Sequence, residues 1–414
     1  MKKGYASMKC GLIGEHLGHS FSAPIHQELA DYSYELFELT PSEVGDFIKN
    51  GKLDAFNVTI PYKKDVIPFL DEISDEARAI GAVNTIVRKK DGRICGYNTD
   101  YFGFSYMIDS ADLQVSGKKA LVIGKGGASL TVCSVLRDRG IKELIVLGSR
   151  DNTPENILKH TDAEIIVNAS PVGMFPNNLI SPVDISLFNR CECVLDLIYN
   201  PARTKLMLDA KAHGIKAVNG LSMLVAQAAK AFEYFTGDKA EDGAIERITS
   251  SIAQKCKNIV LVGMPGCGKS TVGKLVANKL GRCFFDADDE FKKMHGITPA
   301  ECIKGFGEDE FRRLESLTVA ELGKESRAVI ATGGGVVTRE ENYVPLHQNG
   351  EIFFIERKLE NLSRNGRPLS LSTTPEQMYN ARIKSYLRFA DVTVNSNEIA
   401  EDTAKKIIEA YKKL

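Results

Sequence analysis

The sequence predicts an α/β protein of two or three domains built on mainly parallel sheets, and three observations lead there. Apolar strand-like runs alternate with stretches of helical period along the whole chain. A glycine-rich loop at Gly124 follows one such run and opens a helical stretch. A second loop, Gly263-Met264-Pro265-Gly266-Cys267-Gly268-Lys269-Ser270-Thr271, does the same after the apolar run 259–262. At 414 residues the chain is too long for a single core.

Taken in order, the first expected strands are 10–13, 34–39 and 55–60, with helical patterns at 22–30 and 41–50 between them. Residues 85–97 read as a hairpin, because Asp91-Gly92 supplies its turn. Strand 120–123, a helix reaching Arg139 and strand 144–147 make one βαβ unit. Strands 164–167 and 193–197 follow, and a long helix over 222–236 closes this half. Residues 236–256 are polar and contain Gly237, Asp242 and Gly243, so part of them reads as a linker, with room for a helix at 244–254. The remaining residues, 257–414, carry the second loop, its strand at 259–262 and its helix at 271–280.

Composition narrows the function classes. Forty-three percent apolar and 26% charged residues are ordinary for a globular chain in water. A formal net charge of −1 leaves no electrostatic footprint for nucleic acid or an anionic membrane. No apolar run approaches the length of a bilayer span, and Met1-Lys2-Lys3-Gly4 leads into no apolar core of a secretory signal. The expected setting is the cytoplasm, with small molecules as partners and neither nucleic acid nor membrane. Nine cysteines form no C-x-x-C pair, and alternation puts Cys191 and Cys193 on one strand face. They read as buried thiols of a reducing compartment rather than as a disulfide framework or metal site. The histidines show no zinc spacing.

The loop Gly124-Lys125-Gly126-Gly127-Ala128 has the strand-before, helix-after context of a dinucleotide site, although Ser129 stands where the third glycine of the usual pattern falls. Small residues there let backbone approach a pyrophosphate, and the helix N-terminus offers free N–H groups to it. The next strand ends in Gly148-Ser149-Arg150 rather than in a carboxylate for ribose hydroxyls. Arg150 would pair with a 2′-phosphate, which favours NADP(H), while Asp151 beside it argues the other way. Reducing a carbonyl also requires a proton donor for the developing alkoxide. Lys63, on a loop after a strand, and Asp100, at another strand end, could share that proton; taken singly, each reads as a surface charge.

An ordered set of motifs resembles the shikimate dehydrogenase family over roughly residues 8–250. These are His19-Ser20-Phe21-Ser22-Ala23-Pro24, Asn57-Val58-Thr59-Ile60-Pro61-Tyr62-Lys63, Gly81-Ala82-Val83-Asn84-Thr85 and Asn98-Thr99-Asp100. Asn168-Ala169-Ser170-Pro171-Val172-Gly173-Met174, Asp196-Leu197-Ile198-Tyr199-Asn200-Pro201 and Gly220-Leu221-Ser222-Met223-Leu224 with Gln227 continue the series. The resemblance implies NADPH-dependent reduction of 3-dehydroshikimate to shikimate. It implies Lys63 and Asp100 as the catalytic pair and Ser20 and Ser22 at the substrate carboxylate. Thr59, Asn84, Asp100, Tyr199 and Gln227 would hold hydroxyls or the ring. Gly124, Gly126, Gly127, Ala128, Ser149 and Arg150 would bind the cofactor, with Asp75, Leu197 and Gly220 near its nicotinamide end. Two departures stand out. The family usually has a further helix and strand between the Arg150 position and the Asn168 motif, whereas this chain has room for one short helix. Lys125 replaces a residue that is usually small.

The second loop is G-x-x-x-x-G-K-S, whose N–H groups wrap phosphates. Gly266, Cys267, Gly268, Lys269, Ser270 and Thr271 would bind ATP, with Lys269 between the β- and γ-phosphates and Ser270 on Mg²⁺. Motor, GTPase and small-molecule kinase all fit the loop alone. Downstream, Asp286 and Asp288 sit two residues apart after a strand, one suited to metal and one to an acceptor hydroxyl. Arg312 and Glu315 lie one helical turn apart, and a strand opens onto Gly333, Gly334 and Gly335. Together with Gly307-Glu308, Phe311-Arg312, Arg367-Pro368-Leu369 and Arg382 before Tyr386, these resemble the shikimate kinase family over roughly residues 257–414.

That second resemblance implies a P-loop fold of the nucleoside monophosphate kinase type and transfer of the γ-phosphoryl group of ATP to the 3-hydroxyl of shikimate. Asp288 would act as base, and Lys269 is carried over as catalytic. Asp286 would assist Mg²⁺. Arg312 and Arg382 would clamp the carboxylate beside Gly333, Gly334 and Gly335, and Arg367 would come from a lid, with Arg364 a second candidate.

The expected organisation is a substrate-binding α/β domain (1–108), a Rossmann-like NADP domain (109–236), a linker (237–256) and a phosphate-loop domain (257–414). Together they would form a bifunctional enzyme. The alternatives are a quinate/shikimate dehydrogenase fused to the kinase, and a shikimate-sensing regulator with one inactive domain.

Overall fold

Alternating strand and helix signals resolve into three separate sheets in the computed structural model of the chain, which describes residues 4–18, 20–362, 374–396 and 399–414. The first sheet holds β1 (Lys9–Gly14), β2 (Ser33–Glu38), β3 (Ala55–Val58), β4 (Glu72–Ile73), β5 (Thr85–Arg88) and β6 (Ile94–Tyr97), in the order β2-β1-β3-β5-β6-β4. It is mixed: β1 runs parallel to β2 and β3, while β5 is antiparallel to β3 and β6. The 85–97 hairpin thus forms around Asp91-Gly92, with Gly92 at φ +90°. β3 stops at Val58, short of the expected residue 60, because the chain turns at Thr59, with Tyr62 N bonding Thr59 O at 3.0 Å. That turn places Lys63 just beyond the strand end.

The second sheet is wholly parallel: β7 (Lys119–Ile123), β8 (Glu143–Leu147), β9 (Ile165–Asn168), β10 (Cys193–Asp196) and β11 (Lys216–Asn219), in the order β11-β10-β9-β7-β8. Between Arg150 and β9 there is one short helix, Pro154–Leu158, and β8 is left as the sheet edge. The helices Asp100–Ser110 and Leu221–Thr236 pack closely, since a Cβ on Gly103 would lie 2.6 Å from Met223 O. Phe232 and Phe235 at the far end of the second helix join the core of the first sheet with Leu12 and Tyr34. One compact unit contains both sheets: Met1–Met174, Ile180–Tyr199 and Asp209–Gln254. The stretch read as a linker is mostly the helix Ala244–Cys256, which buries Ala244, Ile248 and Ile252 at four-residue spacing.

The second unit comprises Phe175–Leu179, Asn200–Leu208 and Lys255–Leu414. Its sheet is parallel: β12 (Asn258–Val262), β13 (Cys283–Asp286), β14 (Ala328–Ala331), β15 (Gly350–Glu356) and β16 (Val392–Asn395), in the order β13-β14-β12-β15-β16. Successive residues of a strand face opposite sides. Accordingly Val260, Val262, Ile330 and Phe354 enter one core, and Ile259, Leu261, Val329 and Phe353 the other. Burial on both faces accounts for the uninterrupted apolar run of β12.

All nine cysteines are free. Six are buried, but Cys191 and Cys256 are half-buried and Cys283 is exposed, against the expectation of buried thiols throughout. Cys283 opens β13, an edge strand that lacks a neighbour on one side. Among the described residues no helix is long and apolar enough to cross a membrane.

Candidate functional sites

The first site is set by strand ends. Lys63 Nζ donates to Asp100 Oδ2 at 2.6 Å, and both side chains are largely shielded. Asp100 is the first residue of the helix Asp100–Ser110, where the helix dipole favours a negative charge. Behind the pair lies a buried hydrogen-bond network. Asn84 Nδ2 donates to Thr99 Oγ1 at 3.0 Å, Thr99 N donates to Asn84 Oδ1 at 2.7 Å, and Thr99 Oγ1 donates to Gln227 Oε1 at 3.3 Å. Asn84 and Gln227, 143 positions apart, are thereby joined through a threonine that sequence reasoning did not single out. Ser22 N donates to Ser20 Oγ at 3.2 Å, orienting one serine against the other. The Phe21 and Tyr199 rings stand 5.2 Å apart, and burial raises the Tyr199 phenol above its ordinary range. Thr59 is half-buried in the turn after β3.

Tyr34 was not singled out from sequence, and Asn57 was named only as the first residue of its motif. Tyr34 donates to Asn57 Oδ1 at 2.8 Å, and Asn57 Nδ2 donates to Thr85 Oγ1 at 3.0 Å. Their partners lie on separate strands, so no local spacing signals them.

Gly124 ends β7 in a conformation only glycine adopts readily, with φ +116°, and a Cβ there would lie 2.5 Å from Ala169 O. Gly126 caps the helix Gly127–Asp138, whose N-terminus includes Ala128, and a Cβ on Gly127 would sit 3.8 Å from Lys63 Cδ. The glycine loop therefore adjoins the lysine. Ser149 and Arg150 are exposed at the end of β8. Lys125 reaches across Gly148 to pair with Asp151, and that bond holds the Asp151 carboxyl below its usual range. The carboxylate that argued against a 2′-phosphate thus has its own cation. Gly220 packs on Leu197, where a Cβ would meet Leu197 O at 2.1 Å. Asp75 is exposed in the first turn of the helix Asp75–Ile80.

The second site is a cavity of about 460 Å³ at the carboxyl end of the third sheet. Gly266, Gly268, Lys269, Ser270 and Thr271 line it, whereas Cys267 is fully buried beneath the loop. Lys269 Nζ donates to Gly263 O at 2.8 Å and Met264 O at 3.1 Å. Ser270 Oγ donates to Asp286 Oδ2 at 2.6 Å, while Asp286 Oδ1 accepts from Asp288 N at 3.1 Å. Both aspartates face the cavity.

Arg312 is buried and donates to Glu315 Oε2 at 2.6 Å and Glu308 Oε1 at 3.3 Å. Burial raises the Glu315 carboxyl above its usual range despite that partner. The three glycines are dictated by close approach. Added Cβ atoms would lie 2.5 Å from Glu315 Oε1 at Gly333, 2.6 Å from Pro265 Cγ at Gly334 and 2.2 Å from Arg312 Nη2 at Gly335. Arg382 donates to Gly334 O at 3.2 Å, and the Tyr386 hydroxyl bonds the same oxygen. Arg364 and Arg367 lie outside the described residues.

The arrangement fits its implied ligands. Glycine N–H groups and a buried lysine suit phosphates. A hydroxyl beside a carboxylate suits Mg²⁺ that keeps its remaining contacts with phosphate and water. Among the described residues no group of three or more His, Cys, Asp or Glu gathers as a metal site.

Comparison with known proteins matches both halves. The family described as shikimate dehydrogenase substrate binding domain matches residues 12–86, and that described as shikimate 5'-dehydrogenase C-terminal domain matches residues 220–248. The family described as shikimate kinase matches residues 265–412. The shikimate dehydrogenase (NADP(+)) of Clostridium perfringens strain SM101 is 38% identical over 270 residues, which is 60% of this chain and 98% of that protein. The enzyme of the same name from Methanosphaera stadtmanae is 37% identical over 258 residues, 55% of this chain and 90% of its own length. Among solved structures, a chorismate mutase/shikimate 5-dehydrogenase fusion protein from Clostridium acetobutylicum is 35% identical with a TM-score of 0.57, covering 60% of this chain and 98% of that one. Shikimate 5-dehydrogenase from Thermus thermophilus, solved with NADP(H) and shikimate, is 29% identical with a TM-score of 0.52, covering 59% of this chain and 99% of that one. Through its first two sheets this chain belongs to the shikimate dehydrogenase family, and its third sheet carries a shikimate kinase domain.

Proposed function

We propose that the chain reduces 3-dehydroshikimate to shikimate with NADPH and then phosphorylates shikimate at its 3-hydroxyl with ATP. The observation that carries this is the pairing of a dehydrogenase half and a kinase half whose families share one molecule as product and acceptor.

In the first half, NADPH supplies the hydride. Lys63 and Asp100, 2.6 Å apart, hold the proton that the developing alkoxide takes up. Ser20 and Ser22 grip the carboxylate, while Thr59, Asn84, Tyr199 and Gln227 fix the ring and its hydroxyls. Arg150 pairs with the 2′-phosphate.

In the second half, ATP with Mg²⁺ supplies the phosphoryl group. Lys269 would bind phosphate oxygens in place of the loop carbonyls, and Ser270 with Asp286 would hold the metal. Asp288 takes the proton of the attacking hydroxyl. Arg312 and Arg382 bind the carboxylate, so one anion is met by hydroxyls in the first site and by guanidinium groups in the second. Arg367, outside the described residues, would serve the phosphates as the family resemblance implies. In this reading the enzyme works in the cytoplasm, as its free thiols suit.

The test is a coupled assay with 3-dehydroshikimate, NADPH and MgATP. Shikimate 3-phosphate is the expected product. Accumulation of shikimate would remove the kinase half, and tight shikimate binding without NADPH oxidation would make the first half a sensor. A higher kcat/KM for quinate with NADH would change its substrate.

A further inference from the structure

Arg357 is the residue after β15, at the carboxyl end of the third sheet. A Cβ placed on Gly268 would lie 3.7 Å from Arg357 Nη1, so the guanidinium stands against the residue that caps the helix Lys269–Leu280. Gly268 holds φ +98°, at a helix N-terminus whose free N–H groups suit phosphates. Arg357 Nε is shielded from solvent and has no hydrogen-bond partner among the described residues. A shielded N–H on a cation is costly without an acceptor, and such a group calls for an explanation.

Strand order supplies the direction. In the order β13-β14-β12-β15-β16, the phosphate loop follows the central β12. Asp286, Asp288 and the three glycines follow β13 and β14 on one side of it. Arg357 follows β15 on the other side. A nucleoside triphosphate whose γ-phosphoryl group points at Asp288 runs away from the acceptor, so its α-phosphate and nucleoside lie toward β15.

We propose that Arg357 binds the nucleotide on the nucleoside side of the phosphate loop, its guanidinium donating to the α-phosphate. The residue acts in binding and takes no part in the chemical step. This rests on the kinase reading of the third sheet.

The test compares the full-length chain with Arg357→Gln and Arg357→Lys, each checked for folding by circular dichroism. ADP affinity is measured by calorimetry and turnover by the kinase assay. In the Gln variant the Kd for ADP and the KM for ATP should rise about tenfold, as loss of one charge-assisted contact implies. The KM for shikimate, the kinase kcat and the dehydrogenase rate should stay within about twofold of wild type. The Lys variant should recover most of the loss, because it keeps the charge. Unchanged ADP affinity in a folded Gln variant overturns the proposal. Equal rises in the KM for ATP and for shikimate also overturn it, since they mark a prop for the loop. A selective nucleotide loss that Lys does not reverse assigns Arg357 to the purine face and overturns the phosphate contact. ADP binding needs no turnover, so a wild-type chain that binds ADP yet phosphorylates nothing removes the kinase reading alone.

Discussion

Lys125 illustrates how one substitution acts through a neighbour. It stands where the family usually has a small residue, and it pairs with Asp151 beside Arg150. A 2′-phosphate at Arg150 would feel an uncompensated Asp151 as a repulsive charge, and Lys125 offsets it. Lys125→Ala should therefore raise the KM for NADPH roughly three- to tenfold at low salt and leave the KM for NADH unchanged, since the charges are exposed and screened. The ratio of kcat/KM for the two cofactors, measured at low and high ionic strength, checks this; equal effects on both would locate Lys125 elsewhere. From sequence, Arg150 reads as a candidate phosphate partner because of its place at a strand end. The effect of Asp151 was not legible, because the sign of the local field depends on a lysine 26 positions earlier.

At the scale of elements, the helix Ser22–Leu29 carries Ser22 at one end and His26 one turn later. His26 is fully buried, stacked 3.9 Å from the Tyr34 ring, and its Nδ1 lies 2.7 Å from the Tyr32 hydroxyl. Burial pushes its pKa down from 6.5 to about 3. The unfolded chain then takes up a proton below pH 6.5 that the folded chain refuses. Stability from this residue is present above pH 6.5 and is lost as pH falls toward 3, at about 1.4 kcal/mol per pH unit. Between pH 6.5 and about pH 5 the loss from His26 should reach about 2 kcal/mol. Urea unfolding at both pH values, for wild type and His26→Gln, checks it; the variant should lack this share of the pH dependence, and an equal dependence would refute it. The helix itself was readable from its period. The histidine's neutrality was not, because it follows from packing between a helix, β2 and Phe235.

For the whole molecule, the two sites belong to separate compact units and should fail separately. Lys63→Ala should lower the dehydrogenase kcat by about 10²- to 10⁴-fold, as loss of a general acid implies, and leave the kinase rate intact. Lys269→Ala should lower the kinase rate by about 10²- to 10³-fold and leave NADPH oxidation intact. If both activities of a folded variant fall together, the two-module reading fails. Most of this organisation was legible, because phosphate loops, strand-end motifs and alternating runs are local. Unit boundaries were less so. Residues 237–256 read as a polar linker with room for a helix at 244–254; the helix Ala244–Cys256 that forms there buries an apolar stripe and also reaches distant residues, Glu246 accepting from Tyr106 and Ser251 donating to Glu28.

By itself the sequence determined an α/β protein of two or three domains on mainly parallel sheets, two glycine-rich loops that each follow a strand and open a helix, and the residue types each proposed chemistry requires. All of these follow from backbone period and from spacings within a single element. Only the tertiary structure decided that Lys63 meets Asp100, that Thr99 links Asn84 to Gln227, that Lys125 offsets Asp151 and that Arg357 flanks Gly268. Those contacts join residues from different elements, and their energies depend on distance and burial, which chain order does not encode residue by residue.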